Sequence, residues 1–140
     1  MSDIEKGEND LLDLRQGRVH VRDFLRDIKE VSINGNFQEA YDRILPLSQL
    51  MANQIENTIA EKDQRGSFSL GLQVENYQKY VPHDDVVEQG LNDVQPREDF
   101  SELAQQIAKY HIAKMYEGKF QNVVSEFENV LEQAERETKK

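Results

Sequence analysis

The sequence contains no cysteine, no tryptophan and only three prolines among its 140 residues. Without cysteine it has no disulfide, no thiol nucleophile and no cysteine ligands for a structural zinc site. No apolar run approaches the roughly eighteen residues that span a bilayer, and the N-terminal stretch MSDIEKGEND lacks the basic and apolar parts of a signal peptide. We therefore expect a soluble, cytoplasmic protein without membrane contact.

Basic and apolar side chains are also scarce. Lysine and arginine number 17 against 27 acidic residues, which gives a net charge of -10 and argues against binding that neutralises phosphates. We expect no direct nucleic-acid binding. Only 37% of the residues are hydrophobic and 31% are charged, so apolar side chains must be confined to one face of each element. The length indicates a single domain, residues 1–140.

Apolar residues at helical spacing open the first of two helical hairpins. They begin near Val19 and recur every three or four positions: Val21, Phe24, Leu25, Ile28 and Val31. The segment Asn34-Gly35-Asn36 should end this helix, because glycine and asparagine tolerate the left-handed conformation that reverses the chain. The eighteen residues before it, 1–18, are expected to form a frayed lead or a short docking helix.

A second apolar stripe, from Phe37 to Ile59, completes the first hairpin over residues 19–62. Asn36 is the expected N-cap. Pro46 lies inside the stripe, where it removes a backbone hydrogen bond, so a kink or break is expected near Leu45.

The helical period fades over residues 63–98, where we predict a long, partly irregular connection. Strands in a short hairpin over residues 66–81 are an alternative within this connection. A second hairpin follows over residues 99–138, with its turn at Gly118. The predicted fold class is therefore all-α, a helical bundle of two αα-hairpins joined by this connection.

The two predicted turns resemble each other at an offset of 83 residues. The matching positions are Gly35, Phe37, Gln38, Ala40, Ile44 and Leu47 against Gly118, Phe120, Gln121, Val123, Phe127 and Val130. At these residues the chain resembles the tetratricopeptide repeat, whose second helix opens in the same way, over about thirty residues per copy. The first helices depart from that family, the copies are not adjacent, and a generic helical hairpin has the same pattern. The resemblance implies a peptide-binding or partner-binding scaffold.

Catalytic and metal-binding spacings are missing. The three histidines, His20, His83 and His111, show neither the Glu-x-x-His pattern of di-iron bundles nor the His-Glu-x-x-His pattern of zinc proteases. His83-Asp84-Asp85, with Asp93 downstream, offers oxygen ligands for a hard divalent cation, but an acidic cluster at a helix start explains it more simply. His111 belongs to a predicted helix, between Tyr110 and Ile112, and is expected to be a boundary residue without a catalytic role. We predict no catalytic residue, no metal and no cofactor.

The leading interpretation is a non-enzymatic protein–protein interaction module, an adaptor or scaffold that self-associates, with a homodimer as the expected oligomer. Small acidic helical proteins of this kind are common in viral and mobile elements. The contact residues predicted for a partner lie in the middle segment: Tyr77, Tyr80, Val81, Val86 and Val87. One alternative is an acidic inhibitor that imitates nucleic acid. Another is a metal-dependent helical hydrolase that uses Glu132 and Glu135.

Overall fold

The computed structural model describes residues 2–62 and 102–138, and these residues form five α-helices and no strand. The helices are α1 (Asp3–Arg15), α2 (Val21–Ile33), α3 (Phe37–Lys62), α4 (Glu102–Tyr116) and α5 (Phe120–Thr138). The predicted all-α class and the two hairpins, α2–α3 and α4–α5, are confirmed. The connection predicted over 63–98 lies outside the described residues. None of the described helices combines the length and the apolarity that crossing a bilayer demands.

The two hairpin turns have the same backbone geometry. Gly35 and Gly118 have φ angles of 89° and 86°, in the left-handed region that glycine adopts without strain. Past each glycine an amide reaches back to the helix end: the amide of Asn36 donates to the carbonyl of Val31 at 3.1 Å, and that of Lys119 to Lys114 at 2.9 Å. This is the Schellman cap, so the turn signals in the sequence were correct.

The long helix α3 begins as predicted but does not break at its proline. The side chain of Asn36 accepts a hydrogen bond from the amide of Glu39 at 3.3 Å and donates to its carboxylate at 2.7 Å, which makes Asn36 the N-cap. The helix then continues through Pro46, so of the two predicted alternatives near Leu45, a kink or a break, the break is wrong. Leu45 and Leu47 are at most 1% exposed, and their burial stabilises a helix that has lost one backbone hydrogen bond.

Helix α3 lies at the centre of the bundle and contacts the other four helices. The rings of Phe37, at its start, and Tyr116, at the end of α4, have centroids 5.8 Å apart. The ammonium of Lys29, near the end of α2, lies 5.3 Å from the ring of Phe120, at the start of α5. Helix α3 therefore runs antiparallel to α4, and α2 to α5, and both hairpin turns lie at the same end of the bundle. Each turn aromatic is partly buried and touches the opposite hairpin.

The N-terminal segment is a docking helix, the second of the two predicted alternatives. An ideal Cβ on Gly7 would lie only 2.5 Å from the carbonyl oxygen of Arg43, so α1 and α3 approach closely at this point. The Arg43 guanidinium bonds to Asp10 at 3.2 Å and to Asp27 at 2.7 Å, which ties α1 and α2 to α3. Burial opposes the charge of Arg43, but these hydrogen bonds outweigh it and raise the pKa of Arg43 above its ordinary value.

Candidate functional site

An open groove lies where the end of α1, the α1–α2 connection and the second half of α5 meet. Its volume is about 300 Å³, and its lining residues are Leu14, Gly17, Val19, His20, Val21, Glu128, Leu131, Glu132 and Glu135. Gly17, with a φ of 74°, ends α1 and reverses the chain, which brings Val19 and His20 to the same groove as Leu14. Because Val21 starts α2, the groove lies at the end of the bundle opposite the hairpin turns.

The floor of the groove is apolar. Leu14, Val21 and Leu131 are 5%, 5% and 8% exposed and belong to the continuous core of the bundle. Val19 is the exception, because 36% of its surface remains exposed above this floor. A side chain that entered the groove would therefore bury apolar surface of its own and of Val19.

Three glutamates of α5 form one edge of the groove. Glu128, Glu132 and Glu135 follow one another at helical spacings of four and three residues, so they lie in one row about 10 Å long. The lining contains no lysine or arginine. A bond of 3.1 Å joins Glu132 to Arg136, but both side chains are more than half exposed, so water and salt weaken this pair.

The position of Glu135 in the last turn of α5 does not favour the helix. The helix macrodipole stabilises basic side chains at this end and disfavours carboxylates. Stability of the helix therefore does not explain the glutamate at position 135.

The ring of His20 also lines the groove. Its Nδ1 accepts a hydrogen bond of 3.1 Å from the amide of Arg22 and caps the start of α2. A ring nitrogen that accepts carries no proton, so the neutral ring holds its proton on Nε2 and can donate from there. The groove thus offers one donor beside three anionic acceptors.

A His111–Glu126 pair lies elsewhere, between α4 and α5, and the Glu126 side chain is 35% exposed. His111 is completely buried, its Nε2 is hydrogen-bonded to the Glu126 carboxylate, and its ring packs on Phe127 with centroids 4.5 Å apart. The expectation that His111 is a boundary residue is therefore wrong, because its side chain is completely buried. The pair links the two helices of the second hairpin.

The partner-contact residues predicted from the sequence, Tyr77, Tyr80, Val81, Val86 and Val87, lie outside the described residues, as does His83. Glu132 and Glu135, considered for metal chemistry, both line the groove. Among residues 2–62 and 102–138, no three histidine or carboxylate side chains converge as metal ligands. Comparisons with protein-family models, curated proteins and solved structures found no match for the chain. What the groove binds must therefore be inferred from its own residues.

Proposed function

We propose that the chain is a non-enzymatic protein–protein interaction module whose groove binds a basic amphipathic segment of a partner protein. The observation that carries this proposal is the combination of an apolar floor with a glutamate row on one edge. A segment with one apolar and one basic face satisfies both parts at once. Its apolar side chains lie over Leu14, Val21 and Leu131, while its lysines or arginines meet the carboxylates.

The apolar floor also favours a protein segment over nucleic-acid mimicry. A mimic needs rows of carboxylates that imitate phosphates, and the surface it occupies is built to bind phosphates with basic and polar groups. Such a surface offers little apolar area to cover Val19 and Leu131. The groove is thus better matched to a partner that buries apolar side chains.

A titration with a designed peptide tests the proposal. The probe is a helical peptide of leucine and lysine in amphipathic order, and its control is the same peptide with glutamate in place of lysine. Isothermal titration calorimetry should detect binding of the lysine peptide only, and added salt should weaken it because the glutamates are exposed to solvent. Equal binding of both peptides would contradict the proposed charge selectivity.

Matched variants locate the binding site. The triple replacement Glu128→Gln, Glu132→Gln and Glu135→Gln removes the glutamate row and should weaken peptide binding at least tenfold. The control carries Glu5→Gln, Glu8→Gln and Glu30→Gln, which remove the same number of charges from exposed positions of α1 and α2 outside the groove. An equal loss in both triple variants would show that net charge, and not the groove, attracts the peptide.

A further inference from the structure

A basic row of α2 lies beside α5. Arg22, Arg26 and Lys29 are separated by four and three residues, and Ile33 continues the same face one turn later. Arg22 donates to the side chain of Gln121 at 3.3 Å and Lys29 lies over the ring of Phe120, so this face of α2 borders α5.

The end of this row is exposed and has apolar character. Ile33 is 55% exposed, which is unusual in a bundle whose other large apolar side chains are mostly buried within the described part of the chain. The Arg26 side chain is 58% exposed, and its contact with Asp23 spans 3.9 Å. An exposed ion pair at this distance contributes little, so Arg26 can change partners at small cost.

The α2–α5 surface therefore carries opposite charges at its two ends. Lys29 and Ile33 lie toward the hairpin turns, where α5 begins, whereas the glutamate row lies toward the opposite end. Arg26 to Ile33 and Glu128 to Glu135 each span seven residues, about 10 Å along their helices. The face of α2 with Arg26, Lys29 and Ile33 thus matches the acidic groove in length and is opposite to it in charge. Asp27 and Glu30 of the same stretch lie at other helical positions, and Asp27 is bonded to Arg43.

We infer that the basic segment that fits the groove is carried by the chain itself, so that two copies form an antiparallel two-fold dimer through their α2–α5 surfaces. This inference rests on the proposed function and names its partner. In the dimer, Arg26 and Lys29 of each copy meet the glutamate row of the other, and Ile33 lies over the apolar floor. Two-fold symmetry forms this contact twice. A parallel arrangement would bring like charges together, so the charge pattern selects the antiparallel one.

Charge-swap variants test the interface. One variant carries Arg26→Glu and Lys29→Glu, and the other carries Glu128→Lys and Glu132→Lys. In size-exclusion chromatography with light scattering, the unmodified chain should show twice the 16.3 kDa mass of one chain at high concentration. Each variant alone should be monomeric, because its dimer would oppose like charges at both contacts.

Mixing the two variants is the decisive step. Every contact in a mixed dimer pairs opposite charges, so the mixture should recover the dimer mass. The control Glu5→Lys with Glu8→Lys changes the net charge by the same amount as Glu128→Lys with Glu132→Lys. Because it lies outside the interface, it should dimerise like the unmodified chain. Circular dichroism confirms that every variant remains helical.

Three results would overturn the inference: a monomeric unmodified chain at high concentration, dimers that survive both swaps, or a mixture that stays monomeric. A monomeric chain that still binds the leucine–lysine peptide would overturn the dimer alone and leave the proposed function standing. A chain that neither dimerises nor binds the peptide would contradict both.

Discussion

Gly7→Ala has two opposite effects on the free energy of unfolding, because alanine favours the helix α1 but its side chain collides with α3. At an exposed helical position, alanine would stabilise the chain by about 1 kcal/mol relative to glycine, because glycine loses more backbone entropy on folding. At Gly7 the new Cβ would lie 2.5 Å from the carbonyl oxygen of Arg43 and 3.0 Å from its carbonyl carbon. Such a carbon–oxygen contact is relaxed at about 3.3 Å, so α1 must retreat from α3 by about 0.8 Å.

The packing lost in this retreat decides whether Gly7→Ala raises or lowers the free energy of unfolding. Ile4 and Leu14 are buried on either side of Gly7, and a gap of this size removes about a quarter to a half of the dispersion energy of the separated atoms. Overpacking of this kind costs about 1 to 3 kcal/mol. After the gain in helix propensity, we expect Gly7→Ala to lower the free energy of unfolding by up to about 2 kcal/mol.

Urea unfolding followed by circular dichroism measures this difference. Glu8→Ala, an exposed change in the same helix, is the control and should leave the midpoint nearly unchanged. Gly7→Ala should lower it. A midpoint that rises with Gly7→Ala would refute the close packing of α1 on α3, since helix propensity alone would then account for the result.

Four further substitutions test other contacts. Tyr41→Phe removes a completely buried hydroxyl that has no hydrogen-bond partner among the described residues, so we expect unfolding free energy to stay equal or rise by about 1 kcal/mol. Burial, and secondarily the charge of Asp42, raise the pKa of Tyr41. The folded chain therefore keeps this proton where the unfolded chain loses it, stability falls as the pH rises above about 10, and urea titrations should show a shallower fall for Tyr41→Phe. Phe37→Ala and Phe120→Ala should each cost about 2 to 3 kcal/mol in urea unfolding, below the range for fully buried phenylalanine because both rings are partly exposed. A negligible effect at either one would contradict their equivalence. Glu126→Ala leaves a buried histidine without its carboxylate and should lower the thermal midpoint, at a cost of about 1 to 3 kcal/mol. An unchanged midpoint would show that this bond does not hold the hairpin.

Local signals explain what the sequence predicted correctly. The turn at Gly35 depends on one residue that tolerates a positive φ and on the capping side chain of Asn36, and both act within a few residues. The apolar stripes likewise predicted both hairpins from their spacing alone. The tetratricopeptide resemblance of the turns stays a prediction.

Tertiary contacts explain what the sequence missed. Pro46 lies in the central helix, where burial from several sides outweighs one missing hydrogen bond. The burial of His111 was not predicted from the sequence, because its partner Glu126 lies fifteen residues away on another helix. The glutamate spacing of the groove was visible, but its floor joins Leu14 to Leu131, which the sequence separates by more than a hundred residues.

The central claim is that a basic amphipathic segment binds in the groove between α1, α2 and α5. Two-dimensional amide NMR of the ¹⁵N-labelled Arg26→Glu, Lys29→Glu variant, whose groove lining is intact and which should not dimerise, tests it residue by residue in a titration with the leucine–lysine peptide. Binding in the groove predicts the largest shifts at Val19, His20, Leu131 and Glu132, with little change at the hairpin turns. Shifts spread over all acidic surfaces, or concentrated away from these residues, would contradict it.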